Sequence, residues 1–232
     1  MKAVVLCGGL GTRLGSLTKE TPKPLLEVAG KPFIAHVLNR LTRAGVDGLV
    51  LAAGFQWEKL QAYVGTIWDG VPVQYSVESH PLGTGGAIKA AMTNASLLEA
   101  LVFNGDTLFD IEIPLFLKFA KEKDATTCIA LRKVEDCSRY GRITVADNGK
   151  MITFGEKGYM GAGLINAGIY YLRSSTLNEI TSEAFSFEAD FLSLKPIGPS
   201  VYCLPFENYF IDIGIPADLQ RAQAELKALE QS

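Results

Sequence analysis

Short apolar runs alternate with stretches of helical periodicity through the first half of this 232-residue chain. Ala3 to Cys7, 48–53 (GLVLAA), 71–77 (VPVQYSV) and 101–104 (LVFN) are rich in Val, Leu and Ala and read as buried strands. Between the first two, 32–44 carries Phe33, Ile34, Val37, Leu38 and Leu41 at helical spacing, with Pro32 at its first turn. Residues 55–64 and 85–93 also read as helices. Alternating strands and helices predict an α/β fold: a Rossmann-like, mostly parallel central sheet flanked by helices. Such sheets bind ligands beyond the carboxyl ends of their strands. The loop Gly8–Gly11 and Asp106 both fall at such ends.

The second half has a different rhythm. Residues 125–133, 142–146, 150–155, 163–172 and 201–205 read as strands joined by short loops, and Asp147-Asn148-Gly149 is a hairpin signal. A smaller β-rich extension beside the main sheet is expected. Residues 216–230 open with Pro216 and read as a closing helix. With no repeat, low-complexity segment or linker, residues 1–232 are expected to form a single domain.

Composition narrows the chemistry. The net charge of -3, with no basic run, argues against a nucleic-acid duplex or an anionic membrane as partner. Ala3–Cys7 is too short for the apolar stretch of a signal peptide, and no run approaches the roughly 18 apolar residues of a membrane span. A soluble cytoplasmic protein is expected. Cys7, Cys128, Cys137 and Cys203 are scattered, without a CxxC pair, and read as buried small apolar residues. His36 and His80 are the only histidines, too few for a histidine metal cage and unpromising for a Ser-His-Asp site. Carboxylates, cations and backbone must carry any chemistry.

The loop after the first strand, Gly8-Gly9-Leu10-Gly11-Thr12, has few side chains to keep a ligand from its amides. Two cations follow: Arg13, and Lys23 held between Pro22 and Pro24. A bare loop with two placed cations suits a polyphosphate. It is not a dinucleotide fingerprint, because the sixth position counted from Gly9 is Leu14 and the second strand ends Ala52-Ala53-Gly54 without an acid. Nor is it a P-loop, because Gly30-Lys31 and Gly149-Lys150 are followed by Pro32 and Met151.

GGLGTRL followed by PKPL resembles the signature of the sugar-1-phosphate nucleotidyltransferases. Further segments resemble the same family in the same order: Glu78 to Ala87, Asn104-Gly105-Asp106, Glu156-Lys157, Asn166 to Tyr170, and Phe210 to Gly214. The short length and FIDIGIP most resemble heptose-1-phosphate guanylyltransferases, with muramate-1-phosphate uridylyltransferases and mannose-1-phosphate guanylyltransferases near. The resemblance implies that an NTP, by preference GTP, condenses with a sugar 1-phosphate, by preference D-glycero-D-manno-heptose 1-phosphate, and releases pyrophosphate. It implies service in surface-polysaccharide synthesis.

By that resemblance Arg13 holds the triphosphate and Lys23 bridges the two substrates. Asp106 and Asp212 bind Mg2+. Leu6, Gly8, Gly9, Gly11 and Thr12 meet the nucleotide, as do Gly83, Thr84, Gly85 and Gly86, with Thr84 also a candidate cap for the following helix. Tyr140, Gly141, Glu156, Lys157 and Asn166 meet the sugar phosphate. Gly158 stands where relatives often have proline, so the 158–163 loop can reshape the sugar pocket, and Phe210 stands where tryptophan is frequent. UTP with another sugar phosphate, a non-catalytic sugar-nucleotide sensor, and a molybdopterin-type transferase are the rivals. The sensor is disfavoured by the joint presence of Arg13, Lys23, Asp106 and Asp212. The molybdopterin type is disfavoured by Leu14 and the distant Lys23. Oligomeric state is left open between monomer and homodimer.

Overall fold

The computed structural model describes residues 1–9, 11–155, 158–178, 180–193 and 201–229. Strand β1 (Ala3–Leu6) leads through 3-10 turns at Thr12–Thr18 and Lys23–Leu25 to a small hairpin, β2 (Glu27–Val28) and β3 (Lys31–Pro32), and then helix α1 (Phe33–Arg43). β4 (Leu49–Ala53), α2 (Trp57–Val64), β5 (Ile67–Trp68), β6 (Val71–Val77), α3 (Gly83–Asn94), β7 (Glu99–Asn104), β8 (Thr107–Phe109) and α4 (Ile113–Glu122) follow. The rest comprises β9 (Thr127–Val134), β10 (Arg142–Val145), β11 (Met151–Phe154), β12 (Gly163–Arg173), α5 (Ser175–Asn178), a π-helical turn (Phe187–Leu192), β13 (Val201–Phe206), β14 (Phe210–Asp212) and α6 (Pro216–Leu229).

The centre of the sheet is parallel, in the order β7-β1-β4-β6. Val4 of β1 sits between Val50 of β4 and Val102 of β7. Alternate residues of β1 therefore serve opposite faces. Ala3 and Val5 pack with Phe33, Leu38, Leu60 and Phe116 from α1, α2 and α4. Val4 packs with Ile88, Ala91 and Met92 of α3. Burial on both faces is why these strands are continuous apolar runs. The α/β expectation holds.

The β-rich extension also forms. β12 runs antiparallel to β7 along its C-terminal half and pairs with β10 near its start, while β9 lies along its other edge and carries β13. β10 and β11 close through the expected turn. The Lys150 carbonyl accepts from the Ala146 amide at 2.9 Å, and Gly149 takes φ +83. All four cysteines are buried free thiols, and burial pushes Cys203 up to about 12. No helix among the described residues is long and apolar enough to cross a membrane.

Candidate functional site

The site gathers where β1 and β7 end. Leu6 pairs with Asn104 at the last register position, and the Gly105 amide donates to the Leu6 carbonyl at 2.9 Å. A Cβ on Gly105 would lie 2.6 Å from that carbonyl oxygen, so only glycine lets the two strand ends meet so closely. Asp106 thereby sits beside the glycine loop. β14 runs antiparallel to β8 with Asp212 opposite Thr107, and the Ile213 amide donates to the Asp106 carbonyl at 3.0 Å. Two aspartates distant in sequence thus become neighbours.

Both expected cations converge on this pair. Lys23 forms an ion pair with Asp106 Oδ2, and Thr107 Oγ1 donates to Asp106 Oδ1 at 3.2 Å. Arg13 extends from the 3-10 segment so that its Nη2 lies 3.5 Å from where a Cβ on Gly214 would be. Asp212 accepts from the Gly214 amide at 2.7 Å. Burial, and then the charge of Asp106, hold the Asp212 acid above its ordinary range, although Lys23 and Arg13 pull it down. Burial is the first cost of the Asp212 charge, and a divalent cation held by the two carboxylates would offset it.

One cavity opens from the pair, and a second shares Thr84 with it. The larger of the two, about 450 Å³, is lined by Arg13, Asp106, Asp212, Tyr140, Gly141 and Asn166. The smaller, about 200 Å³, is lined by Leu6, Gly8, Gly9, Gly83 and the carboxylate residue Glu78. Gly8 gives this carboxylate room: a Cβ there would stand 3.1 Å from Glu78 Oε1.

Other expected residues also have roles in the fold. Gly11 adopts φ +60, and a Cβ there would lie 2.8 Å from the Thr18 methyl; the Thr18 hydroxyl donates to the Gly11 carbonyl at 3.1 Å. Gly11 and the exposed Thr12 shape the turn that aims Arg13, and neither lines a cavity. Gly85 lines neither cavity. Its amide donates to the Phe185 carbonyl at 3.0 Å, and the Phe185 ring fills its Cβ position. The Gly86 amide donates to the same carbonyl at 3.3 Å. Thr84 does not cap α3; its Oγ1 accepts from the Phe187 amide at 2.9 Å. Glu156 and Lys157 lie outside the described residues.

The structure also adds residues that the motifs did not single out as site residues: Glu78 in the smaller cavity, and Asn104, Arg139 and Glu188 in the larger. Arg139 is held by the buried Asp218 of α6 at 2.7 Å. Asn104 was visible in Asn104-Gly105-Asp106, and Arg139 adjoins Tyr140. Nothing local to Glu188 distinguished it from a solvated acid.

Among the described residues no group of three or more His, Cys, Asp or Glu gathers to hold a metal. A hard cation here would take Asp106 and Asp212 from the protein and its other oxygen ligands from substrate and water. That fits Mg2+-type coordination, which uses one or two carboxylates plus phosphate oxygens.

The nucleotidyl transferase family model matches residues 2–228. D-glycero-alpha-D-manno-heptose 1-phosphate guanylyltransferase of Aneurinibacillus thermoaerophilus is 38% identical over 228 residues, covering 98% of this chain and 99% of that protein. The Campylobacter jejuni protein of the same name is 40% identical over 219 residues, 94% of this chain and 96% of its own. The crystal structure of HddC from Yersinia pseudotuberculosis complexed with GMP-PN superposes with a TM-score of 0.86 at 33% identity, covering 97% of this chain and 99% of that one. With a family match along nearly the whole chain and full-length relatives on both measures, this protein is an enzyme of the nucleotidyl transferase family.

Proposed function

We propose that the protein is a sugar-1-phosphate guanylyltransferase that joins GTP to D-glycero-D-manno-heptose 1-phosphate and releases pyrophosphate. The observation that carries this reading is a pair of cavities that share Thr84, the larger of them lined by Arg13, Asp106 and Asp212, with Lys23 paired to Asp106. The full-length relatives of that name support the choice of substrates.

The base lies in the smaller cavity against Gly8 and Gly9. Glu78 favours guanine there, because guanine alone among the common bases offers a ring N–H and an amino group side by side, which one carboxylate accepts together. The sugar lies in the larger cavity near Tyr140, Gly141 and Asn166.

An oxygen of the sugar 1-phosphate attacks the α-phosphorus of GTP. The new P–O bond forms as the bond from the α-phosphorus to the bridging oxygen breaks, and pyrophosphate carries that oxygen and its electron pair away. The nucleophile is already an anion, so no general base is needed, in keeping with the two histidines of the chain. Arg13 holds the triphosphate and the departing pyrophosphate. Lys23 spans the junction, and its Pro22 and Pro24 flanks limit backbone freedom. Asp106 and Asp212 are the residues that would hold Mg2+, which when bound neutralises phosphate charge. Positioning and electrostatics dominate such transfers.

The test is to incubate the protein with each NTP, Mg2+ and a panel of sugar 1-phosphates and to measure pyrophosphate. Release should be greatest with GTP and the heptose 1-phosphate. No release from any pair would favour a sensor and overturn the reading.

A further inference from the structure

The larger cavity is lined by a cation to which the transfer step above gives no part, Arg139. It sits in a firm turn between β9 and β10. The Tyr140 amide donates to the Cys137 carbonyl at 2.8 Å, and Asp136 accepts from the Ser138 amide at 2.9 Å and from its hydroxyl at 2.7 Å. The Arg139 guanidinium lies 5.5 Å from the centre of the Tyr140 ring, and that ring meets Phe210 edge-on at 6.3 Å. Phe210 and Asp212 are two residues apart on β14 and so share one face of the strand. The turn that carries Arg139 is thereby docked on the strand that carries a candidate metal ligand.

The helix that follows β14 holds the side chain. Asp218, in the first turn of α6, pairs its Oδ2 with Arg139 Nη1 at 2.7 Å and its Oδ1 with Arg221 Nη1 at 3.2 Å. Asp218 is only 6% exposed, and a carboxylate buried to that degree is costly unless cations meet it. Arg221 also pairs with Glu225 at 3.3 Å, whereas Asp218 is the one carboxylate paired with Arg139 among the described residues. Nε and Nη2 of Arg139 make no hydrogen bond among the described residues. These two atoms lie side by side on one edge of the guanidinium, the edge that meets two oxygens of one phosphate in parallel. The side chain is 40% exposed, which leaves a ligand access to it.

The chemistry of the cavity selects the ligand. A sugar 1-phosphate brings a second anion into a space that already holds Asp106 and Asp212. Arg13 is committed to the triphosphate, and Lys23 is paired with Asp106. A further cation is needed where the sugar phosphate enters. Arg139 lines the same cavity, near enough to Asp212 for that charge to act on it. A sugar hydroxyl would use one donor and none of the charge, whereas a phosphate uses both donors and the charge together.

We propose that Arg139 binds the phosphate of the sugar 1-phosphate, and that Asp218 is the positioning residue that holds its guanidinium in place. This rests on the sugar-1-phosphate reading of the site above.

The experiment measures pyrophosphate release by wild type, Arg139→Gln, Asp218→Asn and the double variant, with GTP, Mg2+ and D-glycero-D-manno-heptose 1-phosphate. It also measures inhibition of each by the heptose without its phosphate. Arg139→Gln should lose about 10- to 100-fold in kcat/KM for the sugar 1-phosphate, the scale of a hydrogen bond to a charged group. Its KM for GTP and its Ki for the free heptose should stay within about 2-fold of wild type, because neither ligand carries the phosphate in question. Asp218→Asn should raise KM for the sugar 1-phosphate and not for GTP, and should add little in the Arg139→Gln background, because it acts through the same side chain. Unchanged kcat/KM in Arg139→Gln, an equal loss for GTP, or an equal weakening of the free heptose overturns the inference alone. Full additivity in the double variant removes the positioning role of Asp218. No release by wild type with any sugar 1-phosphate overturns the function reading and this inference together. Should Arg139→Gln fail to fold, labelling of wild type with phenylglyoxal, read by mass spectrometry, probes the same contact. Saturating heptose 1-phosphate should slow modification of Arg139 and not of Arg221, and an unchanged rate at Arg139 would count against the proposal.

Discussion

At the scale of single residues, the site sets two carboxylates, Asp106 and Asp212, against two cations, Lys23 and Arg13. Arg13 stands beside Asp212 and Gly214 and lines the larger cavity. Replacing it with alanine should lower kcat by about 10²- to 10³-fold, the usual cost of losing one preorganised electrostatic contact. Steady-state pyrophosphate release checks this, and turnover like wild type would remove Arg13 from the reaction. Asp212 makes a different prediction, because its charge is opposed by burial and by Asp106. Its folded-state pKa lies above the ordinary value, so the native state holds the proton more tightly than the unfolded chain. The resulting penalty is present above the raised pKa and vanishes below the ordinary carboxylate range. In chelator at neutral pH, Asp212→Asn should therefore melt higher than wild type, by about 2–4 °C for each kcal/mol relieved. The difference should shrink as the pH falls and Asp212 takes up its own proton, while the variant loses activity with Mg2+. A melting point at or below that of wild type at neutral pH would show that the pair is not strained in this way.

At the scale of elements, segment 183–187 joins the start of α3 to the π-helical turn. Phe185 donates to the Leu82 carbonyl and its own carbonyl accepts from Gly85 and Gly86, while Thr84 accepts from Phe187. Gly83, Gly85 and Gly86 leave room for this segment: Cβ atoms there would lie 2.5, 2.0 and 2.4 Å from Phe185 and Glu183 atoms. Gly85→Ala should cost about 1–3 kcal/mol by overpacking. Because its obstacle is a side chain, Phe185→Ala in the same protein should recover part of that loss. A double-mutant cycle in urea measures the coupling, and simple additivity of the two losses would contradict the packing account. These glycines also mark the boundary of what can be read in advance. Gly83-Thr84-Gly85-Gly86 reads as a ligand loop, yet Gly85 makes room for a ring whose approach depends on the tertiary fold. The long strands and helices were legible because burial on both sheet faces writes itself as apolar runs. β8 and β14 were not, since three residues carry no period, and the pairing that brings Asp212 to Asp106 depends on them. α4 is absent from the elements expected above, although Ile113, Phe116 and Ala120 have helical spacing. Glu188 is not legible in sequence, because its place in the larger cavity depends on the packing of the π-helical turn against Asn166 and Tyr170 of β12.

At the scale of the whole molecule, the site is assembled from both ends of the chain. β1 supplies the glycine loop, β14 supplies Asp212, and the Ile213 amide ties the latter to Asp106. Such a site does not exist in the unfolded chain, so nucleotide binding must add to global stability as RT ln(1 + [L]/Kd). GTP at 100 times its Kd adds about 2.7 kcal/mol, which corresponds to a melting-point rise of about 5–10 °C for a chain of this size. ITP has the ring N–H of guanine but lacks the amino group. If Glu78 accepts both donors, ITP loses one hydrogen bond to a charged acceptor, about 1.5–3 kcal/mol, and binds about 10- to 100-fold more weakly. At the same concentration its shift should therefore be about half that of GTP or less. Glu78→Gln should remove most of this difference, because one amide oxygen cannot accept both donors as a carboxylate does and its NH2 faces a donor. Glu78 meets the protein through a hydrogen bond from the Leu82 amide, which the glutamine oxygen can still accept. The fold should survive and the unliganded melting point should move little. Thermal melts of both proteins with GTP and with ITP, at matched Mg2+, decide the matter. A Glu78→Gln protein that keeps the full gap between GTP and ITP would place base recognition on the backbone of Gly8 and Gly9 instead.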